Sequence, residues 1–379
     1  MMTTLLGGLS PATFLREYWH KKPLLVRQAV PNFSSPLDPG QLRALATRED
    51  VESRLVSVIE GRWNLEHGPF FASRLRKLGR RDWTLLVQSV DHHLPAGAAL
   101  LEQFSFIPHA RLDDLMVSYA SPGGGVGPHF DSYDVFLLQG MGHRRWRIAA
   151  QKNLDLVEDL PLKILKRFKP TAEYLLGPGD MLYLPPHYAH DGVAEDDCMT
   201  WSIGFRAPPT QELAQGFLDF VRDRIELPGR YADPDLALQK HPAEISPAML
   251  AQIETMVSRI RWDRNDIAEF AGEYLSEPKP HVFFTAPDRP MGRRAFGKAL
   301  DSRGAALEAK TRMLFAGKRF FINGETLLAG GLEGRVLKIL ADKRRLPPQT
   351  KLPADLQDLF YDWYEAGWLG PGPTRAHPA

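Results

Sequence analysis

The spacing of apolar residues changes near residue 207. Before this point, short apolar runs alternate with Gly/Pro turns, a pattern that is typical of a β-barrel or β-sandwich. A helix is predicted first, in PATFLREYWHKKP. The predicted strands follow it in PLLVRQA, WTLLVQSV, DLMVSYA, DVFLLQG, RRWRIAA, EYLLGPGDMLYLPP and TWSIGFRA.

Residues 208–276 have helical spacing instead. Ser246 is a predicted N-cap, and Pro247 suits the first turn of the helix that follows. Three helices of this size enclose too small a core to stand alone, so we expect them to pack on a partner, most simply in a homodimer. Their apolar stripes are Leu213, Phe217, Phe220 and Val221; Met249, Leu250, Ile253, Met256, Val257 and Ile260; and Ile267, Phe270, Ala271 and Tyr274.

The last hundred residues mix both patterns. EPKPHVFF ends the helical region. The β-like TRMLFAGKRFFINGETLL is followed by helices in LEGRVLKILADKRR and PADLQDLFYDWYEAG, which indicates a winged-helix-like α+β unit. Such units contact DNA or proteins. The predicted domains are therefore 1–207, 208–276 and 277–379.

Composition narrows the classes of function. With 47 basic and 46 acidic residues the net charge is +1, which argues against a broad nucleic-acid surface and favours protein contact for the C-terminal unit. Cys198 is the single cysteine, so a disulfide framework and a Cys-rich zinc site are excluded. A reducing, cytoplasmic location is expected. No signal peptide and no membrane-spanning run is recognisable.

Candidate chemistry is concentrated in GGGVGPHFDSYDVFLLQGMGHRRWRI, residues 123–148. His129 and Asp131 lie two positions apart at the start of a predicted strand, so both side chains should share one face. PGDMLYLPPHYAHDG offers a third ligand, either His187 or His190. Two imidazoles and one carboxylate suit a non-haem Fe(II) site with open positions. His-x-Asp alone is weak evidence, because turn residues of this kind often bond to the backbone.

A cation lies on the next predicted strand. Arg144 follows the QGMG turn and could bind, in two-point fashion, a dicarboxylate that chelates the metal. The alternative is a solvated edge strand, where alternating arginines in HRRWR are common.

These motifs resemble the JmjC-type 2-oxoglutarate oxygenases. FLREYWHKKPLLVRQA, WSIGFRAP and YLSEPKP narrow the resemblance to bacterial ribosomal oxygenases, cupin-fold arginine hydroxylases of a large-subunit ribosomal protein. The resemblance extends over nearly the whole chain. It implies a mainly β fold with α: a double-stranded β-helix (cupin/JmjC) barrel, then a helical dimerisation segment and a C-terminal winged-helix-like α+β domain.

The resemblance also implies roles for individual residues. His129, Asp131 and His190 would hold the catalytic Fe(II), while Arg144, helped by Ser118, would bind the far carboxylate of 2-oxoglutarate. His190 is preferred to His187 because the family motif ends there. The Asp-Gly pair that follows it is also expected to form a turn at a strand mouth.

The implied substrate site lies on the strand in LDDLMVSY. Alternation places Asp114, Met116 and Ser118 on one face, which the resemblance points into the cavity. Asp114 would pair with a substrate guanidinium, and Met116 and Tyr133 would line the substrate channel. The implied activity is Fe(II)-, 2-oxoglutarate- and O2-dependent hydroxylation of an arginine β-carbon (C3) in large-subunit ribosomal protein sixteen.

Three alternatives remain at this point. They are a histidyl hydroxylase of another ribosomal protein, a zinc or manganese cupin isomerase, and a non-catalytic ribosome- or DNA-binding adaptor with a relict barrel. Two further features carry weaker expectations. His92 and His93 are predicted to be surface histidines. The basic run RLRKLGRRDW (residues 74–83) is predicted to be a solvated loop, with a weak ribosomal RNA contact as the alternative.

Overall fold

The structure, a computed structural model, describes residues 2–373. Its strands are β1 (Leu24–Val26), β2 (Ser53–Ile59), β3 (Arg62–His67), β4 (Trp83–Val87), β5 (Leu112–Ala120), β6 (Val135–Met141), β7 (Arg144–Ala149), β8 (Ala172–Leu176), β9 (Met181–Leu184), β10 (Ala189–Ala194), β11 (Cys198–Phe205), β12 (Ala305–Leu307), β13 (Met313–Ala316), β14 (Arg319–Ile322), β15 (Glu325–Leu328), β16 (Arg345–Leu346) and β17 (Leu369–Pro371).

The α-helices of the described chain either precede β5 or follow β11. They are α1 (Met2–Leu5), α2 (Pro11–Glu17), α3 (Pro39–Leu45), α4 (Ala72–Arg76), α5 (Pro95–Glu102), α6 (Thr210–Arg222), α7 (Pro247–Val257), α8 (Arg264–Ser276), α9 (Arg293–Arg303), α10 (Gly331–Lys343) and α11 (Ala354–Glu365). None of the helices in this described part of the chain combines the length and hydrophobicity required of a membrane span.

Two antiparallel sheets face each other to form the barrel. The larger has the order β1-β9-β6-β11-β5-β4-β2-β3, and the smaller has the order β10-β7-β8. Residues 123–129 run beside β10 and hydrogen-bond to it at both ends, through Gly123 to Ala194 and through His129 to His190. This irregular strip extends the smaller sheet. The result is the predicted double-stranded β-helix.

Strand alternation decides which residues enter the barrel. On β7, Arg144, Trp146 and Ile148 are buried, whereas the residues between them are less so. The inner apolar cluster is Val135, Leu137, Trp146, Ile148, Leu176, Leu182 and Leu184. The other face of the larger sheet packs under the N-terminal helices, with Phe14, Leu85 and Trp201 fully buried there. A core on each face of this sheet holds the barrel strands in fixed register.

The C-terminal unit has the predicted winged-helix character. The hairpins β13-β14-β15 and the small sheet β16-β12-β17 pack with α9, α10 and α11 around a separate core that includes Phe296, Phe320, Leu337 and Phe360. Helix α9 was absent from the prediction because its sequence is mostly polar and buries only Phe296 and Leu300.

Helix α8 contacts two units. One face packs Phe270 against Phe217 and Phe220 of α6. Its Gly272 lies so close to Phe321 of β14 that a Cβ would overlap the phenyl ring. The helix therefore joins the helical segment to the winged-helix unit, and the boundary at residue 276 stays a prediction.

Three strands of the barrel domain were missing from the sequence prediction. The hairpin of β2 and β3 turns through Gly61, which has φ +75°. Strand β3 is an edge strand that is only half-buried, so its alternation is weak. The third, β10, has the sequence AHDGVA, and its Asp191-Gly192 pair was expected to be a turn.

Candidate metal centre

Three predicted ligands converge at one end of the barrel. His129 and His190 form a two-way backbone bridge, with N–H···O distances of 2.9 and 2.8 Å, and their ring centroids lie 4.2 Å apart. Asp131 Oδ2 lies 3.6 Å from His190 Nε2. One potential donor atom from each of the three residues lies within 4.8 Å of the others. This is a spacing that one metal ion can bridge.

The local structure around these ligands differs from the prediction. Asp131 lies in the loop before β6 rather than on a strand, so strand parity is not what aligns it with His129. His190 is the second residue of β10, and Asp191 and Gly192 continue that strand instead of turning. Asp191 accepts a hydrogen bond from Arg147 at 2.5 Å, and a Cβ on Gly192 would overlap the Trp146 ring.

Both imidazoles are oriented for metal binding. Nδ1 of His129 lies 2.8 Å from the Gly127 carbonyl, and Nδ1 of His190 lies 2.8 Å from the Tyr188 carbonyl. A carbonyl only accepts, so each Nδ1 carries the hydrogen and each Nε2 keeps its lone pair for a metal. Burial, and then the neighbouring His129, lower the pKa of His190 to about 4. The ring is therefore neutral at pH 7, as a ligand must be.

His187 does not join this cluster. Its side chain is exposed, its φ is +60°, and its backbone N–H donates to the Asp131 carbonyl at 2.7 Å. In residues 2–373, the only group of three or more His, Cys, Asp or Glu residues with metal-ligand spacing is His129, Asp131 and His190. His187 instead holds the Asp131 loop through its backbone.

Arg144 points into the barrel with unsatisfied donors. The residue is 4% exposed, and its Nε and Nη2 are buried without a hydrogen-bond partner among residues 2–373. A buried cation is costly unless it is paired, so this environment favours an anionic ligand. Arg145, by contrast, faces outward and pairs with Glu173 and Glu195. The solvated-edge interpretation therefore suits Arg145 and not Arg144.

The predicted substrate face of β5 also turns inward. Ser118 is buried and lies opposite Thr200 of β11, while Met116 is half-buried opposite Ser202. Asp114 Oδ2 accepts hydrogen bonds from the Ser89 backbone N–H at 2.9 Å and from its hydroxyl at 3.1 Å. Burial raises the pKa of Asp114.

Tyr133 stands at the open end near these carboxylates. It is 41% exposed. Partial burial, followed by Asp131 and Asp114, raises its pKa, so the phenol keeps its proton. Its position suits the predicted role in the substrate channel.

Two inward-facing residues were missed from the sequence. Ser202 is buried on β11, and the alternation of TWSIGF could have identified it. Arg54 lies on β2 with its Nε buried and unpartnered within the described chain, and it lowers the pKa of Tyr133 in opposition to the carboxylates. It was missed because β2 was not predicted.

The prediction for His92 was wrong. Its side chain is 11% exposed and belongs to a 3-10 turn, Val90–His92, rather than a strand. It lines a cavity of about 80 Å³ between the barrel and the winged-helix unit. Long-range packing buried a residue that local sequence placed at the surface.

Comparison with known proteins agrees with this geometry. A JmjC domain model matches residues 99–213, and a ROXA-like winged-helix model matches residues 259–370. The Escherichia coli ribosomal protein uL16 3-hydroxylase is 37% identical over 319 residues, which cover 83% of this chain and 84% of that protein. A probable ribosomal oxygenase of Haemophilus influenzae is 37% identical over 95% of this chain and 96% of its own length.

Solved structures show the same architecture. The crystal structure of E. coli YcfD superposes with a TM-score of 0.84 at 33% identity, covering 95% of this chain and 98% of that one. A second YcfD structure, a ribosomal oxygenase in complex with cobalt and 2-oxoglutarate, has a TM-score of 0.81 at 33% identity with the same coverage. Together with the fold and the convergent triad, these similarities show that the chain belongs to the JmjC-domain ribosomal oxygenases.

Proposed function

We propose that this protein is an Fe(II)- and 2-oxoglutarate-dependent dioxygenase that hydroxylates the β-carbon (C3) of an arginine in ribosomal protein uL16. The observation that carries the proposal is the convergence of His129, Asp131 and His190 inside a barrel. The same barrel buries Nε and Nη2 of Arg144 without a hydrogen-bond partner in the described part of the chain. The similarity to the uL16 3-hydroxylase of E. coli supports the choice of substrate.

The residues of the site fit the two groups. Two Nε2 atoms and one carboxylate form a donor set suited to Fe(II) and leave coordination positions open. Arg144 would neutralise the distal carboxylate of 2-oxoglutarate, helped by Ser118 of the facing sheet. The E. coli relative has been crystallised with cobalt, a divalent metal, together with 2-oxoglutarate.

Bound Fe(II) and 2-oxoglutarate supply oxidising power: with O2, 2-oxoglutarate gives succinate and CO2, and one oxygen atom enters a substrate C–H bond. The chain itself supplies orientation and exclusion of water. The Gly127 and Tyr188 carbonyls fix the two imidazoles, and the apolar cluster around Trp146 lines the interior.

The substrate residue follows from Asp114. A carboxylate matches a guanidinium in charge and geometry better than it matches a neutral imidazole, so arginine is favoured over histidine. Ser89 donates hydrogen bonds to Oδ2 of Asp114, whereas Oδ1 of Asp114 makes no hydrogen bond to residues 2–373 and is available to a substrate guanidinium. Met116 and Tyr133 would contact the aliphatic part of the side chain.

Two partner surfaces complete the proposal. The apolar stripe of α7 has no buried residue, which supports a homodimer formed through this segment. In the basic run, Arg76, Lys77, Arg80 and Arg81 are exposed, whereas Arg74 pairs with Glu66. The exposed four could add a weak ribosomal RNA contact.

The test is intact-mass analysis of ribosomal proteins from cells with and without the gene. The proposal predicts that uL16 alone gains the mass of one oxygen atom when the gene is present, and that fragmentation places it on an arginine. The purified protein should then couple oxidation of that uL16 peptide to succinate formation. An unchanged uL16, or an oxygen on a histidine of another ribosomal protein, would refute it.

A further inference from the structure

The strand that carries Asp114 is incompletely covered by its neighbours. Strand β4 pairs with β5 only from Val117 to Ala120, so no strand within residues 2–373 pairs with the first half of β5 on that side. Side chains take its place. Asp91 Oδ1 accepts a hydrogen bond from the Leu115 backbone N–H at 3.0 Å.

A residue of the winged-helix unit completes this arrangement. Arg312, 200 residues away in sequence, donates to the Leu112 carbonyl at 3.0 Å through Nη1. It also donates to the Asp113 carbonyl at 2.7 Å through Nη2. Its side chain is 17% exposed. One guanidinium from the C-terminal domain therefore fixes two consecutive peptide groups of the catalytic barrel.

Three cations converge on the side chain of Asp113. Lys279 Nζ lies 3.1 Å away, and Arg312 Nη2 and Arg206 Nε each lie 3.5 Å away. Arg206 also donates to the Leu275 carbonyl at the end of α8. Lys279 and Arg206 would still pair with Asp113 if Arg312 were lost. The Leu112 and Asp113 carbonyls, however, would lose this donor, so the backbone at the start of β5 should shift.

The next residue along the strand is Asp114, which points to the opposite side, into the barrel. Its Oδ2 is held by Ser89, which adopts φ +51°. Two sets of contacts therefore fix the main chain around Asp114. The loop from Ser89 to Asp91 holds Asp114 and Leu115, and Arg312 holds the carbonyls of the two preceding residues.

We propose that Arg312 is a positioning residue for the substrate guanidinium: through the backbone of β5, the winged-helix domain sets the place of the Asp114 carboxylate. This inference rests on the proposed function, which gives Asp114 its ligand. Arg312 does not touch substrate. It makes the C-terminal domain part of the specificity site and leaves the metal and 2-oxoglutarate site independent of it.

A simple interdomain tether is the alternative, and the chain offers a matched control. Arg345 of the same domain pairs with Glu102 of helix α5 at 3.0 Å, but this pair is exposed, and neither side chain hydrogen-bonds to β5 within residues 2–373. Arg312→Gln and Arg345→Gln each remove one interdomain guanidinium. Only the first removes the contacts to the strand of Asp114.

The experiment uses the full-length enzyme with Fe(II) and 2-oxoglutarate and two uL16 peptides, one with the target arginine and one with citrulline in its place. Citrulline keeps the shape and removes the charge. Arg312→Gln should reduce the preference for arginine over citrulline by about tenfold or more, because a hydrogen bond to a charged group is misaligned. The KM for 2-oxoglutarate should stay unchanged. Arg345→Gln should behave like wild type in both respects.

Anaerobic binding of the arginine peptide, followed by fluorescence anisotropy, gives the same comparison without turnover. Arg312→Lys, which keeps the charge but can occupy only part of the geometry, should fall between wild type and Arg312→Gln. It also replaces the glutamine variant if that variant fails to fold. Full peptide preference in both Arg312 variants, or an equal loss of 2-oxoglutarate affinity, would overturn the inference. A wild-type enzyme without turnover of the arginine peptide would overturn the proposed function as well.

Discussion

The barrel and the helical segment bury their apolar side chains to very different extents. In the barrel, Trp201 and Phe136 are completely buried, and each face of the larger sheet has its own core. In the helical segment, Leu250 is 54% exposed and Trp262 is 51% exposed. This contrast in burial is the basis for the proposed homodimer contact of the helical segment.

Matched tryptophan substitutions give the largest expected difference between the two regions. Trp201→Ala should lower the free energy of unfolding by about 3–5 kcal/mol, because it leaves a cavity in a closed core. Trp262→Ala removes a half-exposed ring that packs edge-on against Phe217 and should cost about 1 kcal/mol or less. Urea unfolding at fixed protein concentration measures both. Equal losses would contradict the contrast.

Arg144 separates function from stability within the barrel. Arg144→Met removes a buried guanidinium with unpaired donors, so the metal-free protein should become no less stable. The same change should weaken 2-oxoglutarate binding by about 2–5 kcal/mol, because it removes one partner of a buried charge pair. Calorimetric titration of 2-oxoglutarate measures the loss. Arg145→Met, on the outward face, is the control and should bind normally.

A charge placed on the apolar stripe of α7 tests the proposed dimer contact of the helical segment. Leu250→Glu should weaken the proposed dimer by about 1.5–3 kcal/mol, the value of one buried leucine side chain. The monomer should keep its fold, because α7 buries none of its residues within the chain. Light scattering over a dilution series measures the mass. Ala251→Glu places the same charge outside the stripe and should leave the dimer intact. A monomeric wild type would refute the proposal of a dimer.

The smallest expected effect in the wild type is that of pH, because the adjacent residues Asp91 and His92 respond to it in opposite directions. Burial, then Asp114, raises the pKa of Asp91 from 3.8 to about 7, so the folded chain binds a proton that the unfolded chain releases. Stability from this group falls as pH rises from about 4 to 7. Burial, then Arg312, lowers the pKa of His92 from 6.5 to about 3, so stability from His92 falls as pH drops below 6.5.

In the wild type these two opposite dependences largely offset each other. In His92→Gln, the free energy of unfolding should therefore fall, relative to that of the wild type, as pH rises from 4 to 7. In Asp91→Asn it should rise, relative to that of the wild type, over the same range. Free energies of unfolding in guanidinium at several pH values measure the two slopes. Parallel curves for all three proteins would contradict the assignment.

The sequence predicted the architecture where its periodicity was strong. Inward and outward residues alternate clearly on β7, and the stripe of α7 repeats cleanly, so both elements were found. The half-buried edge strand β3 and the polar helix α9 have little periodicity, and both were missed. Periodicity in the sequence is strong when one face of an element is buried and the other is exposed, and it is weak when the two faces are buried to similar extents.

At the candidate site, the sequence predicted the ligand residues but not the structure that brings them together. The motifs, together with the family resemblance, predicted a shared metal at His129, Asp131 and His190, and the structure brings these residues together. The reasons differ from those predicted, because a backbone bridge and an irregular loop align them instead of strand parity. Contacts such as Arg312 on β5 join residues 200 positions apart, and local sequence carries no signal for them.

The most direct test compares two histidines that are three residues apart. His190 belongs to the cluster, and His187 is exposed and outside it. Anaerobic Fe(II) affinity and 2-oxoglutarate turnover should be retained in His187→Gln. In His190→Gln they should fall by about 100-fold or more, since even residues that only orient a ligand cost about 10–100-fold. Loss of iron binding in His187→Gln with retention in His190→Gln would contradict the proposed metal centre.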